Sequence, residues 1–211
     1  MHITIAPSLR PLVRLGVLAF DGLTVVEHDA RLDPLLADAE ARVRAHPPED
    51  AAHVRSMYRR VGLDPTRRRP SSEALLRRVV RGEPLPRINS IVDICNWCSL
   101  EFQLPYGLYD LAHVRGGIGL RLGAEGESYP GIRKDEVHVG GRITLADDAG
   151  AFGNPSSDSA RTMVTTETTR ALMVIFAPVE IARERVTEVV ALSAERTLSC
   201  CGGTLLSSSV V

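Results

Sequence analysis

The hydrophobic rhythm of the chain changes near residue 105. Before that point apolar positions recur every three or four residues, the spacing of amphipathic helices; after it they come in short bursts divided by glycine turns, the pattern of strands. Helical spacing predicts elements over residues 32–43, about 49–61 and 71–82, and through "NSIVDICNWCSLEFQLP" (89–105). "HPPED" divides the first two, and Ser71 or Ser72 caps the third before Gly82 ends it. On that third helix Leu75, Leu76, Val79 and Val80 are expected on one face, with Arg77, Arg78 and Arg81 largely on the other. Strands are predicted in "YGLYDL", "GIGLRLG", "EVHVGGRITLADD" and the wholly apolar "ALMVIFAP" (171–178), followed by a closing helix over 180–196. Near the start, "LVRLGVLAFDGLTVV" (12–26) turns around Asp21 and Gly22 and reads as a hairpin.

A helical front half, a β-rich second half and a final helix define an α+β fold with its sheet built mostly after residue 105. Residues 1–54 are expected to join the same domain as 55–196. Residues 197–211, "TLSCCGGTLLSSSVV", are low in complexity and read as a flexible, dispensable tail.

Composition narrows the function classes. With 44% hydrophobic and 24% charged residues over 211 positions, the chain can bury a normal core. Its formal net charge of −1 excludes a whole-protein electrostatic grip on nucleic acid, and DNA is not an expected partner. The charge is uneven: ten arginines between Arg55 and Arg87 face only Asp64, Glu73 and Glu83. Arg67, Arg68, Arg69, Arg77 and Arg78 could track phosphates, or simply present a solvated face. No apolar run reaches membrane-span length, and the short run near the start is broken by Arg14, so a cytoplasmic protein is expected. Cys95 and Cys98 have Cys-x-x-Cys spacing on a helix, without a second pair, and read as packing residues. The histidines show no metal-binding spacing, so neither metal nor cofactor is expected.

The densest polar chemistry lies in "FGNPSSDSARTMVTTETT" (152–169), between two strand-like segments. Asn-Pro and clustered Ser and Asp are ordinary turn and capping chemistry. They equally supply a carboxylate, hydroxyls and backbone donors to a binding site. Arg161 can anchor a phosphate, or fork onto Asp158 or Asp110. No Gly-x-Ser-x-Gly nucleophile turn is present.

The succession Asn89, Val92, Asp93, Asn96, Pro105, Asp110, Leu111, then Arg121, Gly126, Glu127 and Gly131, then "RITLADD" and the polar stretch, resembles the B3/B4 domain of the phenylalanyl-tRNA synthetase β subunit. The resemblance covers about residues 55–180. It implies a three-layer α/β sandwich of the B3/B4 type, and an editing module that hydrolyses mischarged aminoacyl-tRNA. The chain looks like a free-standing version, a group with a similar Gly-Asn-Pro…Asp-Ser-x-Arg-Thr stretch. Three positions depart from the synthetase pattern. Its His two residues before the aromatic-Asp pair is Gly107, its Thr before the second Asn is Cys95, and its glycine-rich turn reads "GAFGNP". The departures fall in the implied pocket, so the synthetase's amino acid, Tyr, is not carried over.

Deacylation needs the 3′ end held, a water positioned and the oxyanion stabilised, without a nucleophilic triad. On that chemistry Asp158 and Thr162 are the catalytic candidates. Asn96, Gly107, Glu127, Gly131, Gly153, Asn154, Ser156 and Arg161 are the substrate-binding ones, with Asp93 structural. The expected partners are the tRNA acceptor end and its amino acid. Two readings follow: a trans-editing hydrolase, favoured by the intact polar stretch, or a non-catalytic tRNA- or amino-acid-binding module, favoured by the missing motif residues.

Overall fold

The computed structural model describes residues 3–48, 52–67, 69–133 and 135–211. Its centre is a four-stranded antiparallel sheet, ordered β11-β2-β10-β3 and formed by β2 (Val13–Asp21), β3 (Tyr106–Asp110), β10 (Ala171–Pro178) and β11 (Thr204–Val210). Strand β10 is buried at every position, as its unbroken apolar run requires. A second sheet runs β1-β4-β7-β8-β9, formed by β1 (Ile3–Ile5), β4 (Ile118–Leu122), β7 (Ile143–Asp147), β8 (Gly150–Asn154) and β9 (Ser157–Asp158). A small ribbon pairs β5 (Ser128–Pro130) with β6 (Glu136–His138).

The helices are α1 (Leu32–Ala45), α2 (Ala52–Arg60), α3 (Ser71–Val80), α4 (Ser90–Phe102) and α5 (Arg183–Cys201). Helices α4 and α5 pack on each other and on the central sheet, and α1 and α3 pack against α4. Alternation along β3 connects the layers. Tyr106 points to the helices, where its hydroxyl meets Ser193 of α5 at 2.9 Å. Tyr109 points the other way and meets Phe152 of β8 edge-on, ring centres 4.9 Å apart. The result is an α+β stack of helices, central sheet and second sheet. Among the described residues no helix is long and apolar enough to cross a membrane.

Three expectations are corrected. The hairpin over 12–26 does not form. Strand β2 does end at Asp21, but its partners are β10 and β11, and the segment beyond Gly22 is tied instead to Thr169, Cys201 and Ser90. The supposed tail is ordered structure: Thr197 and Cys201 are buried in the last turns of α5. Gly202 and Gly203, both at positive φ, then reverse the chain so that β11 pairs along β2. On α3 the buried positions are Ser72, Glu73 and Val79, while Val80 is exposed. The predicted start of α2 at 49–51 lies outside the described residues.

Candidate functional site

Strand β3 is an edge of the central sheet, and an edge strand leaves backbone N–H groups to be satisfied. One of them, Leu108 N–H, donates to the Asp158 carboxylate at 3.3 Å. That hydrogen bond ties β9 to β3 and frames a cavity of about 300 Å³. Helix α4 contributes Val92, Cys95 and Asn96 to the wall, and β3 contributes Tyr106 and Leu108. Ile132, Met163 and Val164 complete an apolar interior. The Tyr106 hydroxyl is engaged with Ser193, so this wall offers its ring and not its polar atom. Ser71, Asn96, Arg133, Ser156, Ser157 and Asp158 supply polarity. Burial pushes the Cys95 thiol well above its ordinary value, with Cys98 and Asp158 adding to the shift; it stays a neutral wall group.

Asp158 also faces the Tyr109 hydroxyl beneath β3. Burial first, then the Asp158 charge, raises that phenol well above its ordinary value and keeps it neutral. The ring fits because Gly107 and Gly153 flank it. A Cβ on Gly107 would stand 2.0 Å from the hydroxyl oxygen, and one on Gly153 2.2 Å. These two glycines, candidates for substrate contact from sequence, instead make room for Tyr109.

The other candidates divide. Asn96 and Asp158 are brought together at the apolar cavity. Asn154 and Ser156 hold the β8–β9 turn: Asn154 accepts from the N–H groups of Ser156 and Ser157 at 2.8 and 3.1 Å and donates to Tyr129 at 2.7 Å. Thr162 is fully buried in a 3₁₀ turn, its hydroxyl 3.2 Å from Ser159, and does not line the cavity. Arg161 forks onto Asp147 with two 2.9 Å hydrogen bonds, not onto Asp158 or Asp110. Burial raises the Asp147 carboxyl, but Arg161 and the N–H groups of Arg115 and Ala149 outweigh it and hold the group below its ordinary value. Glu127 is clamped by Arg121 through two 2.7 Å bonds, and that clamp lowers it to about 2. Gly131 bridges to Ser159, and Asp93 holds Arg87 at 2.6 Å and Ile88 N–H at 2.8 Å.

The arginines also separate. Arg55, Arg69 and Arg77 converge on buried Glu73 at 3.5, 3.6 and 3.1 Å, and Arg78 pairs with Glu83 at 2.9 Å. Helix α3 therefore neutralises much of the face expected to meet RNA. Arg67 and Arg69 instead line a second cavity of about 430 Å³, which shares Ser156 and Ser157 with the first. Arg68 lies outside the described residues. Sequence reasoning missed Leu108, Ile132 and Met163, which carry no chemical signal of their own, and Asp147. The only sequence signal for Asp147 was its place at the end of a strand beside a turn. Among the described residues no three His, Cys, Asp or Glu side chains gather as a metal site.

The chain is thus a three-layer α+β domain with a largely apolar cavity at a sheet edge, where Asp158, Asn96, Arg133 and serines supply the polar lining. Residues 53–192 match the B3/4 domain, and the chain belongs to that family. Relatives include the phenylalanine–tRNA ligase beta subunit of Pseudomonas putida, 32% identical over 113 residues (49% of this chain, 14% of that one). The counterpart from Chromobacterium violaceum is 36% identical over 77 residues, 36% of this chain and 10% of that one. The matches thus span a small part of those subunits. An N-terminal fragment of the phenylalanyl-tRNA synthetase beta subunit from Pyrococcus horikoshii superposes with a TM-score of 0.47 at 12% identity, covering 100% of this chain and 50% of the fragment.

Proposed function

We propose that this chain binds the aminoacylated 3′ end of a tRNA and hydrolyses the ester when the amino acid is wrong. The relatives' names supply the tRNA. The observation that carries the reading is the cavity, whose lining is mostly apolar and includes Asp158 and Asn96 beside Arg133 and the serines. Such a site accepts an α-amino acyl group with an apolar side chain. A buried apolar wall disfavours a hydroxylated side chain that finds no hydrogen-bond partner there.

In this reading Asp158 attracts the α-ammonium or orients a water toward the ester carbonyl. Water adds to the carbonyl carbon, the carbon–oxygen bond to ribose breaks, and the proton passes to the departing ribose oxygen. Free amino acid and uncharged tRNA result. No covalent intermediate is needed, and the Cys95 thiol in the wall is buried and neutral.

The test is a deacylation screen against tRNAs charged with apolar and hydroxylated amino acids, repeated with Asp158→Asn. Asparagine keeps the shape and an acceptor for Leu108 N–H. Single-turnover hydrolysis is expected to fall by about 10²-fold, with the melting temperature near normal. Reduced stability with an unchanged rate in the folded fraction makes Asp158 a purely structural group. The second reading, a non-catalytic binding module, is favoured by Thr162 and Arg161, which the fold turns away from the cavity. Binding without hydrolysis anywhere in the screen establishes it.

A further inference from the structure

The second cavity joins groups far apart in sequence: Arg67 and Arg69 from the segment between α2 and α3, His138 from β6, and Arg142 from just before β7. Arg67 is 87% exposed, with Asp64 no closer than 3.8 Å, and Arg69 reaches Glu73 only at 3.6 Å. Arg67 and Arg69 keep donor capacity toward the cavity. Asp135 and Glu136 line the same space and are hydrogen-bond acceptors. The β8–β9 turn is shared with the apolar cavity and is fixed in place. The Ser156 hydroxyl lies 2.8 Å from Tyr58 and donates to Arg69 carbonyl oxygen at 3.3 Å.

A ligand using both cavities needs an apolar end, a short link across Ser156 and Ser157, an anionic group for the arginines and hydroxyls for the carboxylates. A nucleotide esterified to an amino acid has these parts, with the ribose between the ester link and the phosphate. We infer that the arginine-lined cavity is the subsite for the 3′-terminal nucleotide of the RNA, its phosphodiester held by Arg67 and Arg142 and its free ribose hydroxyl by Asp135 or Glu136. The inference rests on the proposed function for the identity of the linked group, but not on hydrolysis. Guanidinium is suited to the role because its planar fork matches phosphate oxygens.

The experiment uses the full chain and an uncharged, 5′-labelled RNA tetranucleotide with a free 3′ hydroxyl, followed by fluorescence anisotropy over a salt series. The wild-type protein is expected to bind it. Arg67→Gln combined with Arg142→Gln is expected to weaken binding by about 10-fold or more. The same double variant should flatten the salt slope by about 0.7 for each phosphate it leaves without a guanidinium. Arg67→Lys, which keeps the charge, should weaken binding less. Arg78→Gln, altering a side chain tied to Glu83, should bind as wild type. Melting curves confirm that each variant is folded. Equal affinity and slope in the folded double variant would overturn the subsite, as would inorganic phosphate competing as well as the tetranucleotide. Oligonucleotide binding that depends on these arginines, alongside failure of every deacylation assay, supports the subsite and removes the hydrolase reading alone.

Discussion

Tyr109 dictates the residues around it. Its ring fills the space that side chains at Gly107 and Gly153 would need, and it is buried too deeply to move aside. Gly107→Ala is therefore expected to destabilise by about 2–3 kcal/mol, the upper part of the range for overpacking. Tyr109→Leu in the same chain should recover part of that stability, and a double-mutant cycle in urea measures the coupling. Simple additivity of the two changes would show that the ring does not set the glycine. The Arg121–Glu127 clamp makes a different prediction. Glu127 is lowered to about 2 from an ordinary value of 4.5, chiefly by Arg121. Its stabilisation is thus full above about 4.5 and disappears as pH falls toward 2. Because Arg121 is partly exposed, the size is on the order of 1 kcal/mol. Glu127→Gln should be less stable than wild type at pH 7 and equal to it near pH 2. A gap that persists undiminished in acid would contradict the clamp.

At the scale of elements, the C-terminal segment shows how much pairing can do without apolar side chains. Strand β11 is serine-rich and mostly exposed, which is why its sequence reads as a tail. It is held by its backbone ladder to β2, by reciprocal bonds between Leu15 and Val211 at 2.8 and 2.9 Å, and by Arg183 on the Val210 carbonyl. Removing residues 197–211 would also strip Thr197 and Cys201 from the core. Truncation after Arg196 is therefore expected to lower the melting midpoint by more than about 10 °C, several kcal/mol for a chain of this size. An unchanged midpoint would mean that the edge strand contributes nothing. Helix α3 teaches a similar lesson about charge. The arginines on and around it look available in sequence because Glu73 is a single acid among many bases, but that buried carboxylate gathers Arg77 of α3 together with Arg55 and Arg69.

For the whole molecule, the α+β order was legible because β10 is apolar throughout and four helices in succession precede the run of strands from β3 to β10. Part of the candidate cavity's polar lining was legible too, since Asp158, Asn96 and Ser156 carry recognisable chemistry. The pairing of distant partners was not. Nothing local tells Arg161 to choose Asp147, or brings Arg142 to the cavity of Arg67. Those choices depend on which strands become neighbours. The same dependence shapes how this chain reaches its native state. Val17 of β2 lies between Val174 and Ser209, so a nearly wholly apolar strand made early has no lateral partner until far downstream residues arrive. Such non-local pairing slows folding. During that interval β2 is an unprotected sticky edge, and yield on expression will be governed by how fast it is covered as much as by the stability of the finished fold.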